Sequence, residues 1–408
     1  MTKKRLAIMA VTWLVILVAG VSVTATLSIC GALQGNIGVA SSENYVVTAE
    51  QYEMIQRYEK LDQVYQLMMT EYVTELDEET LLIGAAQGML AGADDPYTYF
   101  YTQEDMAEML EQDDGHYKGI GLQVTITEEG LLRVTRVFKD APAMKAGIRA
   151  GDYVTQINGE TVYATNMKEL EAAVAMIKED EDGLVTLTLM RDGEEYTVTV
   201  ELAVVNQNRV EYTMLDDGVG YIMLYEFQGD AATGFAEAVE ALKKQGMRKL
   251  VVDLRSNPGG SLGIVLKIAD ILLPNGMILD IVDRSGRSSA YYSDAECLDM
   301  PLAILINENS ASASEVLAGA VKDHGVGIIV GKTSFGKGIV QQIYEFEDGS
   351  GMQQTIARYY TPSGSYIHGV GITPDVEVEL EGSFDPGITG PQPEQDAQLQ
   401  AALDALKD

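Results

Sequence analysis

Apolar residues recur at helical spacing in the part of the chain that follows residue 49. From Glu50 to about Leu90 they return every three or four positions, which predicts one helix from Glu50 onward and a second from about Glu78 to Leu90. The acidic and proline residues at 94–96 end this region, because proline cannot continue a helix. A short helix is predicted from about Glu104 to Gln112, and we assign packing rather than chemistry to all three.

A period of two replaces the helical period between residue 116 and about residue 202. The pattern predicts strands at 120–127, 131–138, 151–159, 185–190 and 196–201, a short helix at 141–147 and an amphipathic helix at 167–177. The dipeptides Asn158-Gly159 and Asp192-Gly193 suit the tight turns of such a unit. This segment is therefore predicted to be a compact β-rich domain with two helices.

From Val219 the chain alternates between strands and helices. Strands are predicted at 220–225, 249–254, 302–306 and 327–330, and helices at 231–245, 261–273 and 314–324. This alternation predicts an α/β sheet with helices on its faces. After Ile339 the pattern consists mainly of strands, until a linker rich in proline and glycine at 386–393 leads to an amphipathic helix from Gln395 to Leu406.

The N-terminal segment is a candidate membrane helix. Three basic residues at positions 3–5 precede an apolar run from Leu6 to about Gly35, which is long enough to span a bilayer. Positive charge before the run predicts a cytoplasmic N-terminus and an extracytoplasmic location for the rest of the chain. A cleaved signal peptide is the alternative, since Thr24 and Ala25 are small enough for a cleavage site. The length of the run favours an uncleaved, single-pass anchor in the cell membrane.

Together these patterns predict an α/β multidomain protein, and its 408 residues suit two or three folded domains. The predicted segments are a membrane anchor at 1–35, a linker and N-terminal helical region at 36–112, the β-rich domain at 113–202, the α/β core with a mainly strand C-terminal part at 203–385, and a linker with a C-terminal helix at 386–408. In this arrangement the β-rich domain is inserted between the N-terminal helices and the α/β core.

Composition narrows the set of partners and cofactors. The 62 acidic and 28 basic residues give a formal net charge of -34, which repels nucleic acid and favours neutral or basic substrates at long range. With two cysteines, neither a disulfide framework nor a zinc site is predicted. No clustering of histidine, aspartate and glutamate along the sequence suggests a catalytic metal, and we expect no cofactor.

The candidate chemistry is concentrated in two short segments. Residues 309–315 place three serines among small residues directly after the predicted strand 302–306, and Lys337 follows in a glycine-flanked turn. A serine hydroxyl needs a neighbouring base, and a lysine amine serves when burial keeps it neutral. At a strand-to-helix turn the nucleophile lies beside the positive end of the helix, where the backbone N–H of Ala313 is placed to hold a developing oxyanion. The sequence alone does not decide which serine reacts.

Two other kinds of chemistry compete for these residues. Residues 331–337 follow the Gly-x-x-x-x-Gly-Lys pattern of a phosphate-binding loop, but Gly338 replaces the hydroxyl that holds magnesium, and a strand is predicted next where that loop opens a helix. A Ser-His-Asp triad requires one of His116, His324 and His368. His324 ends the predicted helix that follows the serines, about a helix length away. We therefore favour a serine with a lysine base.

Several segments, in the same order along the chain, resemble the C-terminal processing peptidases, also called tail-specific proteases. Besides the serine and lysine segments, they are Asp95-Pro96-Tyr97, Ile120-Gly121, the stretch from 141–143 to 157–159, and the glycine turn at 253–260. The resemblance covers roughly residues 50 to 380 and implies a serine endopeptidase with Ser312 as nucleophile and Lys337 as base. Glu315 aligns with an acidic residue of that family, and we interpret it as helix-cap or ion-pair support.

The resemblance also assigns supporting residues to this pair. It implies that Gln341 orients Lys337 by a hydrogen bond, and if the segment is a strand the two residues share a face. It also implies that the glycine turn supplies a second oxyanion donor, at Gly259 or Gly260, beside Ala313. The predicted site therefore combines a nucleophile, a base, an orienting amide and two backbone donors.

The β-rich domain resembles a PDZ domain. Such a domain binds an extended C-terminal peptide as an added strand, and N–H groups of a glycine-rich loop hold the terminal carboxylate. The candidate peptide-binding residues are Gly119, Ile120, Gly121 and Leu122, with Ile120 or Leu122 as the wall of an apolar pocket. One alternative is a small β domain with a tight turn, and another is a PDZ binding scaffold whose protease-like domain is inactive. The predicted partners are protein or peptide substrates with free C-terminal tails and the cell membrane, and the resemblance leaves a homodimer open.

Overall fold

A computed structural model of the protein describes residues 47–114, 116–127, 129–178, 183–294, 296–380 and 391–407. The chain forms two compact units, Met1–Leu81 and Leu82–Asp408. The predicted membrane anchor at 1–35 lies outside the described residues. Among the helices that are described, none has both the length and the apolar composition that a bilayer span requires.

Helix α1 (Ala49–Glu71) confirms the first helical pattern of the sequence. It begins with a capping box, in which Thr48 Oγ1 accepts from the N–H of Gln51 at 3.2 Å and Gln51 Oε1 accepts from the N–H of Thr48 at 2.9 Å. No residue of α1 is buried, although its apolar residues recur at helical spacing. Helix α2 (Glu78–Ala91) confirms the second predicted helix.

A short strand and a helix precede the β-rich domain, β1 (Tyr99–Tyr101) and α3 (Gln103–Asp114). The domain itself comprises β2 (His116–Gly119), β3 (Leu122–Ile126), β4 (Leu132–Val137), α4 (Pro142–Lys145), β5 (Tyr153–Ile157), β6 (Glu160–Thr161), α5 (Met167–Lys178), β7 (Leu184–Arg191), β8 (Glu194–Glu201) and β9 (Ala203–Asn206). These elements match the predicted pattern, to which the structure adds β2, β6 and β9.

An antiparallel sheet in the order β3-β4-β5-β7-β8 forms the body of this domain, with β6 paired to β5 and β2 paired to β9. The period of two explains its core, because every second residue of β4 and β7 points inward. Val134, Leu187 and Leu189 are fully buried and pack with Ala173 of α5.

The remaining elements form the α/β core and the C-terminal helix. They are β10 (Val210–Met214), a 3-10 turn (Asp216–Gly218), β11 (Val219–Leu224), α6 (Ala231–Lys244), β12 (Lys249–Asp253), α7 (Leu262–Leu272), β13 (Gly276–Asp283), β14 (Ser288–Ser293), β15 (Leu302–Ile306), α8 (Ala313–His324), β16 (Ile328–Gly331), β17 (Ile339–Glu345), β18 (Gly351–Tyr360), β19 (Val376–Glu377) and α9 (Ala397–Ala405). The predicted alternation of strands and helices is confirmed in this region.

A six-stranded sheet in the order β10-β11-β12-β15-β16-β19 carries the site. Five strands of this sheet, β11, β12, β15, β16 and β19, are parallel, and β10 pairs antiparallel to β11. Every residue of β11 and β15 is buried, as is typical of a parallel sheet covered on both faces. Because β12 and β15 are neighbours, the loops that follow their carboxyl ends meet at one edge of the sheet.

Helices cover both faces of this sheet. The buried apolar residues of α6, α7 and α8 pack on one face, against side chains such as Ile222, Val252 and Ile304. Helix α9 packs on the other face through Leu399 and Ala402. The predicted amphipathic helix at the C-terminus is therefore a buried part of the core.

A second sheet, in the order β1-β18-β13-β14 with β17 paired to β18, brings the segment after Lys337 to the site. The sequence pattern predicts strands after Ile339, which β17 and β18 confirm, but it predicts none at 276–293, where the structure has the hairpin β13–β14. Most residues of β14 are exposed, so it lacks the alternation of apolar and polar residues that would reveal it.

Candidate active site

Ser312 occupies the strand-to-helix turn between β15 and α8, as predicted. Its backbone has φ 54° and ψ -112°, a conformation that residues other than glycine rarely adopt. The carbonyl oxygen of Ser312 accepts from the N–H groups of Glu315 and Val316 and from the hydroxyl of Tyr359 at 3.1 Å. These contacts hold the strained turn, and such strain is typical of functional sites.

The structure distinguishes the three serines of this turn by their burial and hydrogen bonds, whereas the sequence alone does not. The hydroxyl of Ser310 donates to the carbonyl oxygen of Leu254 at 2.8 Å, and that of Ser314 donates to the carbonyl oxygen of Asn257 at 2.9 Å. Both side chains are fully buried. Ser312 is half-buried and lines a cavity of about 510 Å³ together with Lys337 and Gln341.

The buried carboxylate of Glu315 connects the serine turn to the lysine turn. Its Oε2 accepts from the backbone N–H groups of Ser312 and Lys337, each at 2.8 Å. Its Oε1 accepts from the hydroxyl of Ser334 at 2.5 Å and from the N–H of Gly336 at 2.7 Å. Four donors therefore fix this carboxylate, a larger role than the helix-cap support that the sequence suggests.

The side chain of Lys337 lies against an aromatic ring. Its Nζ is 4.7 Å from the centroid of Tyr97. Burial lowers the pKa of Lys337 below its ordinary value, while the negative charges of Asp95 and Glu315 oppose that shift. A lowered pKa increases the fraction of neutral amine, which is the form that accepts a proton.

Gln341 reaches the same cavity from strand β17. Its Nε2 donates to Thr355 Oγ1 at 3.2 Å, and among the hydrogen bonds of the described residues none joins it to Lys337. Lys337 itself lies two residues before β17 begins. A bulge between Val340 and Gln341 shifts the pairing with β18 at this point. The orienting role of Gln341 stays a prediction.

The glycine turn after β12 packs directly on the serine turn. A Cβ built on Gly259 would lie 2.8 Å from both Ser312 Cβ and the backbone nitrogen of Ala313. The N–H of Gly259 already donates to Asn257 Oδ1 at 2.9 Å. In the described part of the chain no acceptor is bound to the N–H of Gly260 or of Ala313. The backbone N–H groups that remain available to hold an oxyanion beside Ser312 are therefore those of Gly260 and Ala313.

The predicted peptide loop follows strand β2. Gly119 ends that strand, and Ile120 is 3% exposed and belongs to the core of the β-rich domain. Leu122 is half-buried and lines a second cavity, of about 820 Å³, that also contacts Val174 of α5 and Lys337. Leu122 of the predicted peptide loop and Lys337 of the predicted catalytic pair therefore border the same cavity.

Tyr117 covers the peptide loop. A Cβ built on Gly119 would lie 2.5 Å from the ring of Tyr117, and one built on Gly121, whose φ is 82°, would lie 2.2 Å from Ala141 Cβ, so position 121 requires glycine. Burial raises the pKa of Tyr117 to about 12, against the opposing effects of a hydrogen bond from the N–H of Gly121 and the charge of Arg136. The phenol oxygen therefore lies close to one donor of the loop.

The competing chemistries lack support in the described residues. His324 lies at the far end of α8, and its Nε2 is 2.8 Å from the carbonyl oxygen of Met277. The Gly331–Lys337 segment leads into strand β17, where a phosphate-binding loop would lead into a helix. Within the described ranges, no group of three or more His, Cys, Asp and Glu side chains is arranged to hold a metal ion.

Sequence reasoning missed several residues that shape this site. Asn257 holds the glycine turn, since its Oδ1 accepts from Gly259 and its Nδ2 donates to the carbonyl oxygen of Leu224 at 2.7 Å. Tyr97 and Asp95 lie near Lys337, and Tyr359 binds the Ser312 turn. The Asp95-Pro96-Tyr97 segment, which resembles a family motif, pointed to Asp95 and Tyr97. Nothing in the sequence around Tyr359 marks that strand residue as part of the site.

Comparison with known protein families gives three matches along the chain. Residues 218–378 match peptidase family S41, and residues 133–191 match a PDZ domain. Residues 23–105 match the N-terminal domain of the activating protease CtpB. The order of the matches is that of the predicted segments.

Curated relatives cover most of this chain. A probable CtpA-like serine protease of Staphylococcus saprophyticus is 34% identical over 382 residues, which are 93% of this chain and 75% of the relative. The chain belongs to peptidase family S41. A probable CtpA-like serine protease of Staphylococcus aureus strain COL is 36% identical over 78% of this chain, and the match spans 64% of that relative's length.

Solved structures agree with this membership. A photosystem II D1 C-terminal processing protease is 28% identical, with a TM-score of 0.52 over 84% of this chain and 97% of its own. A putative S41 protease of Bacteroides fragilis shares the fold, with a TM-score of 0.59 over 90% of this chain and all of its own, at 14% identity. The predicted family, the PDZ domain and the assignment to the serine-type peptidases are confirmed at the level of the S41 family.

Proposed function

We propose that the chain is a membrane-anchored serine endopeptidase that binds protein C-terminal tails with its PDZ domain and cleaves upstream of the tail with Ser312 and Lys337. The observation that carries this proposal is the shared cavity of Ser312 and Lys337, whose backbones are both bound by the carboxylate of Glu315. The burial of Ser310 and Ser314, whose hydroxyls already donate to carbonyl oxygens, supports the choice of Ser312 over both.

In the proposed mechanism the neutral amine of Lys337 takes the proton of Ser312 Oγ, and Oγ attacks the scissile carbonyl carbon. For this step the amine leaves the ring of Tyr97 and approaches the serine. The carbonyl oxygen becomes an oxyanion, which the N–H groups of Gly260 and Ala313 stabilise. The protonated Lys337 then gives its proton to the leaving amine, and the acyl-enzyme remains.

Water completes the reaction by the reverse use of the same groups. Lys337 accepts a proton from water, the hydroxide attacks the acyl carbon, and the second tetrahedral intermediate uses the same two N–H donors. Collapse of this intermediate returns the proton to Ser312 Oγ and releases the new C-terminus. Gln341 lines the cavity beside both residues and is proposed to orient the lysine amine.

The proposed substrates are protein tails with a free carboxylate and an apolar last residue. The tail would add as a strand beside β3, with its side chain against Leu122 and Val174, and continue through the common cavity toward Lys337. A net charge of -34 favours neutral or basic segments at long range. The cavity that joins the two sites supports this route.

The proposed location is the outer face of a cell membrane, with residues 1–35 as a single-pass anchor. The basic residues before the apolar run support a cytoplasmic N-terminus. Protease added to intact cells or spheroplasts should then digest the catalytic region. Full protection of that region would contradict the proposed orientation.

A homodimer through the N-terminal helices is part of the proposal. Helix α1 exposes apolar side chains along 23 residues and buries none of them within the described chain. Exposed apolar side chains along a helix of this length favour association with a second copy. Light scattering of the full chain in detergent, with and without Leu61→Glu and Leu67→Glu, measures the mass directly.

The decisive experiment compares hydrolysis of an unstructured protein by the wild type, Ser312→Ala and Lys337→Arg. Both variants should lose at least about 10³-fold in kcat/KM, because one lacks the nucleophile and the other carries a side chain that stays protonated. His324→Gln should keep most of the activity. A wild type that binds tails and hydrolyses nothing would favour the PDZ scaffold instead.

A further inference from the structure

A buried ionic cluster joins the C-terminal helix α9 to the glycine turn beside Ser312. It consists of Asp253 at the end of β12, Arg255 two residues later, and Asp396, the residue that caps α9. Both aspartates are 0% exposed and Arg255 is 5% exposed. Arg255 Nη1 and Nη2 donate to the two oxygens of Asp396 at 3.0 and 2.8 Å, a bidentate arrangement.

Every N–H of the Arg255 guanidinium has an acceptor. Nε donates to Asp253 at 2.9 Å, Nη1 donates to Asp396 and to Gln398 Oε1, and Nη2 donates to both aspartates. The hydroxyl of Tyr221 donates to Asp253 at 2.6 Å. Rotation of the arginine side chain would break several charge-assisted bonds in a buried site. Arg255 is therefore held in one position from the side of α9.

The turn that follows Arg255 needs such support. Ser256 has φ 58°, a left-handed conformation, and its N–H donates to Asn307 Oδ1 at 2.8 Å. Strained residues of this kind persist only where the surrounding structure fixes them on both sides. Beyond Ser256 the turn continues through Asn257 to Gly259, which packs on Ser312. A shift of Arg255 would therefore reach the serine within a few residues.

We propose that Asp396 is a positioning residue, which through Arg255 holds the turn 256–260 and its donor Gly260 against Ser312. The inference rests on the proposed function, because it gives that turn the task of binding the oxyanion. Helix α9 packs on the sheet face opposite α8. If Asp396 positions the turn, α9 is necessary for turnover although it does not contact the substrate.

The test is Asp396→Asn in the full chain. Asparagine keeps an oxygen for the N–H of Leu399, which Asp396 accepts at 3.0 Å, so the cap of α9 survives. It removes the charge and one of the two acceptors of Arg255. We expect kcat to fall at least tenfold and KM to stay within twofold, because the cavities that bind substrate are unchanged. A kcat equal to that of the wild type overturns the proposal.

Leu406→Ala is the matched control for stability. Leu406 is 4% exposed at the end of α9 and packs on the same sheet face, but it is not among the hydrogen-bond partners of Arg255, which are Asp253, Asp396 and Gln398. This variant should lower Tm and leave kcat unchanged at a temperature well below the transition. If kcat falls in both variants in proportion to the loss of Tm, the effect of Asp396 is general destabilisation and the positioning role is wrong.

Gln398→Leu decides the matter if Asp396→Asn does not fold. It removes one neutral acceptor from Arg255 Nη1, so kcat should fall about threefold with KM unchanged, and an unchanged kcat overturns the proposal. Ser312→Ala is measured in parallel. Turnover by Ser312→Ala would overturn the proposed function itself, whereas an inactive Ser312→Ala beside a fully active Asp396→Asn overturns the positioning role alone.

Discussion

Gly259 lies so close to Ser312 that a Cβ at position 259 would be 2.8 Å from the Cβ of the serine. Real Cβ atoms do not approach this closely, so any side chain at 259 must push the two turns apart. The glycine also has φ 103°, which side-chain-bearing residues rarely adopt. Two independent reasons therefore require glycine at this point.

Gly259→Ala should lower kcat/KM by at least about 10²-fold, because the displaced turn carries the proposed oxyanion donor Gly260 away from Ser312. Gly286→Ala is the matched control, because Gly286 also has a positive φ, of 82°, but has open space around its Cα. Both variants carry the backbone strain, and only the first disturbs the site. Steady-state hydrolysis of an unstructured protein measures the difference, and equal losses would show that strain alone is responsible.

Ser312→Gly should be inactive and more stable than Ser312→Ala. The φ of 54° at this position costs a residue with a side chain about 1–3 kcal/mol, which glycine avoids at an entropic cost of about 1 kcal/mol. The order of Tm values should therefore be glycine above alanine. Thermal unfolding followed by circular dichroism checks it, and a glycine variant that melts clearly below alanine would argue against stored strain.

Glu315→Gln should cost about 2–5 kcal/mol of stability and at least about 10²-fold in kcat, because an amide has one acceptor oxygen where four N–H and O–H donors now converge. Asp323→Asn on the exposed side of the same helix, whose carboxylate accepts one bond from the N–H of Ser363, is the control and should change both little. Denaturant unfolding and kinetics on the two variants make the comparison.

The rate of hydrolysis should rise with pH as Lys337 loses its proton, with a midpoint below the ordinary lysine pKa, because burial lowers the pKa of this amine. Asp95→Asn removes a negative charge that raises this pKa, so the rising limb should move to lower pH. Asp192→Asn, on the hairpin of the PDZ domain, should leave it in place. A profile of kcat/KM against pH for the three proteins decides, and a shift to higher pH would contradict the assignment.

Tyr117→Phe should tighten binding of peptides with a free C-terminal carboxylate, because it releases the N–H of Gly121 from the phenol. Peptides with an amidated C-terminus should bind more weakly to both proteins. Fluorescence anisotropy with a labelled tail gives the affinities. If free-acid and amidated tails bind equally well to the wild type and to Tyr117→Phe, carboxylate capture by this loop is wrong.

The sequence predicts the elements of this protein well where they carry a regular pattern. Strand β15 begins and ends at the predicted residues, Leu302 and Ile306, because all five of its residues are apolar and buried. The hairpin β13–β14 escapes prediction because β14 is largely exposed and shows no period. The alternation of apolar and polar residues reflects the burial of one face of a strand. A strand that is mostly exposed therefore shows little alternation in its sequence.

The candidate site is predictable in its residue types and only partly in its contacts. The choice among three serines depends on which hydroxyls are buried and bound, and those partners, Leu254 and Asn257, lie more than fifty positions away along the chain. The four donors on Glu315 come from two loops that are 20 or more positions apart along the chain and meet in the folded sheet. Distances of this kind arise from tertiary packing, which spacing along the chain does not encode.

The cavity that borders both Leu122 and Lys337 has a consequence for protein engineering. Exchanging the PDZ domain for one with another tail preference would also replace a wall of the space in which the lysine sits. Under the proposed function, recognition and catalysis are therefore not interchangeable modules. A chimaera built to redirect the enzyme should be judged first by its rate on a tail-independent substrate, and variants selected for a new tail should accumulate compensating changes around Tyr97 and Pro258 on the protease side of that space.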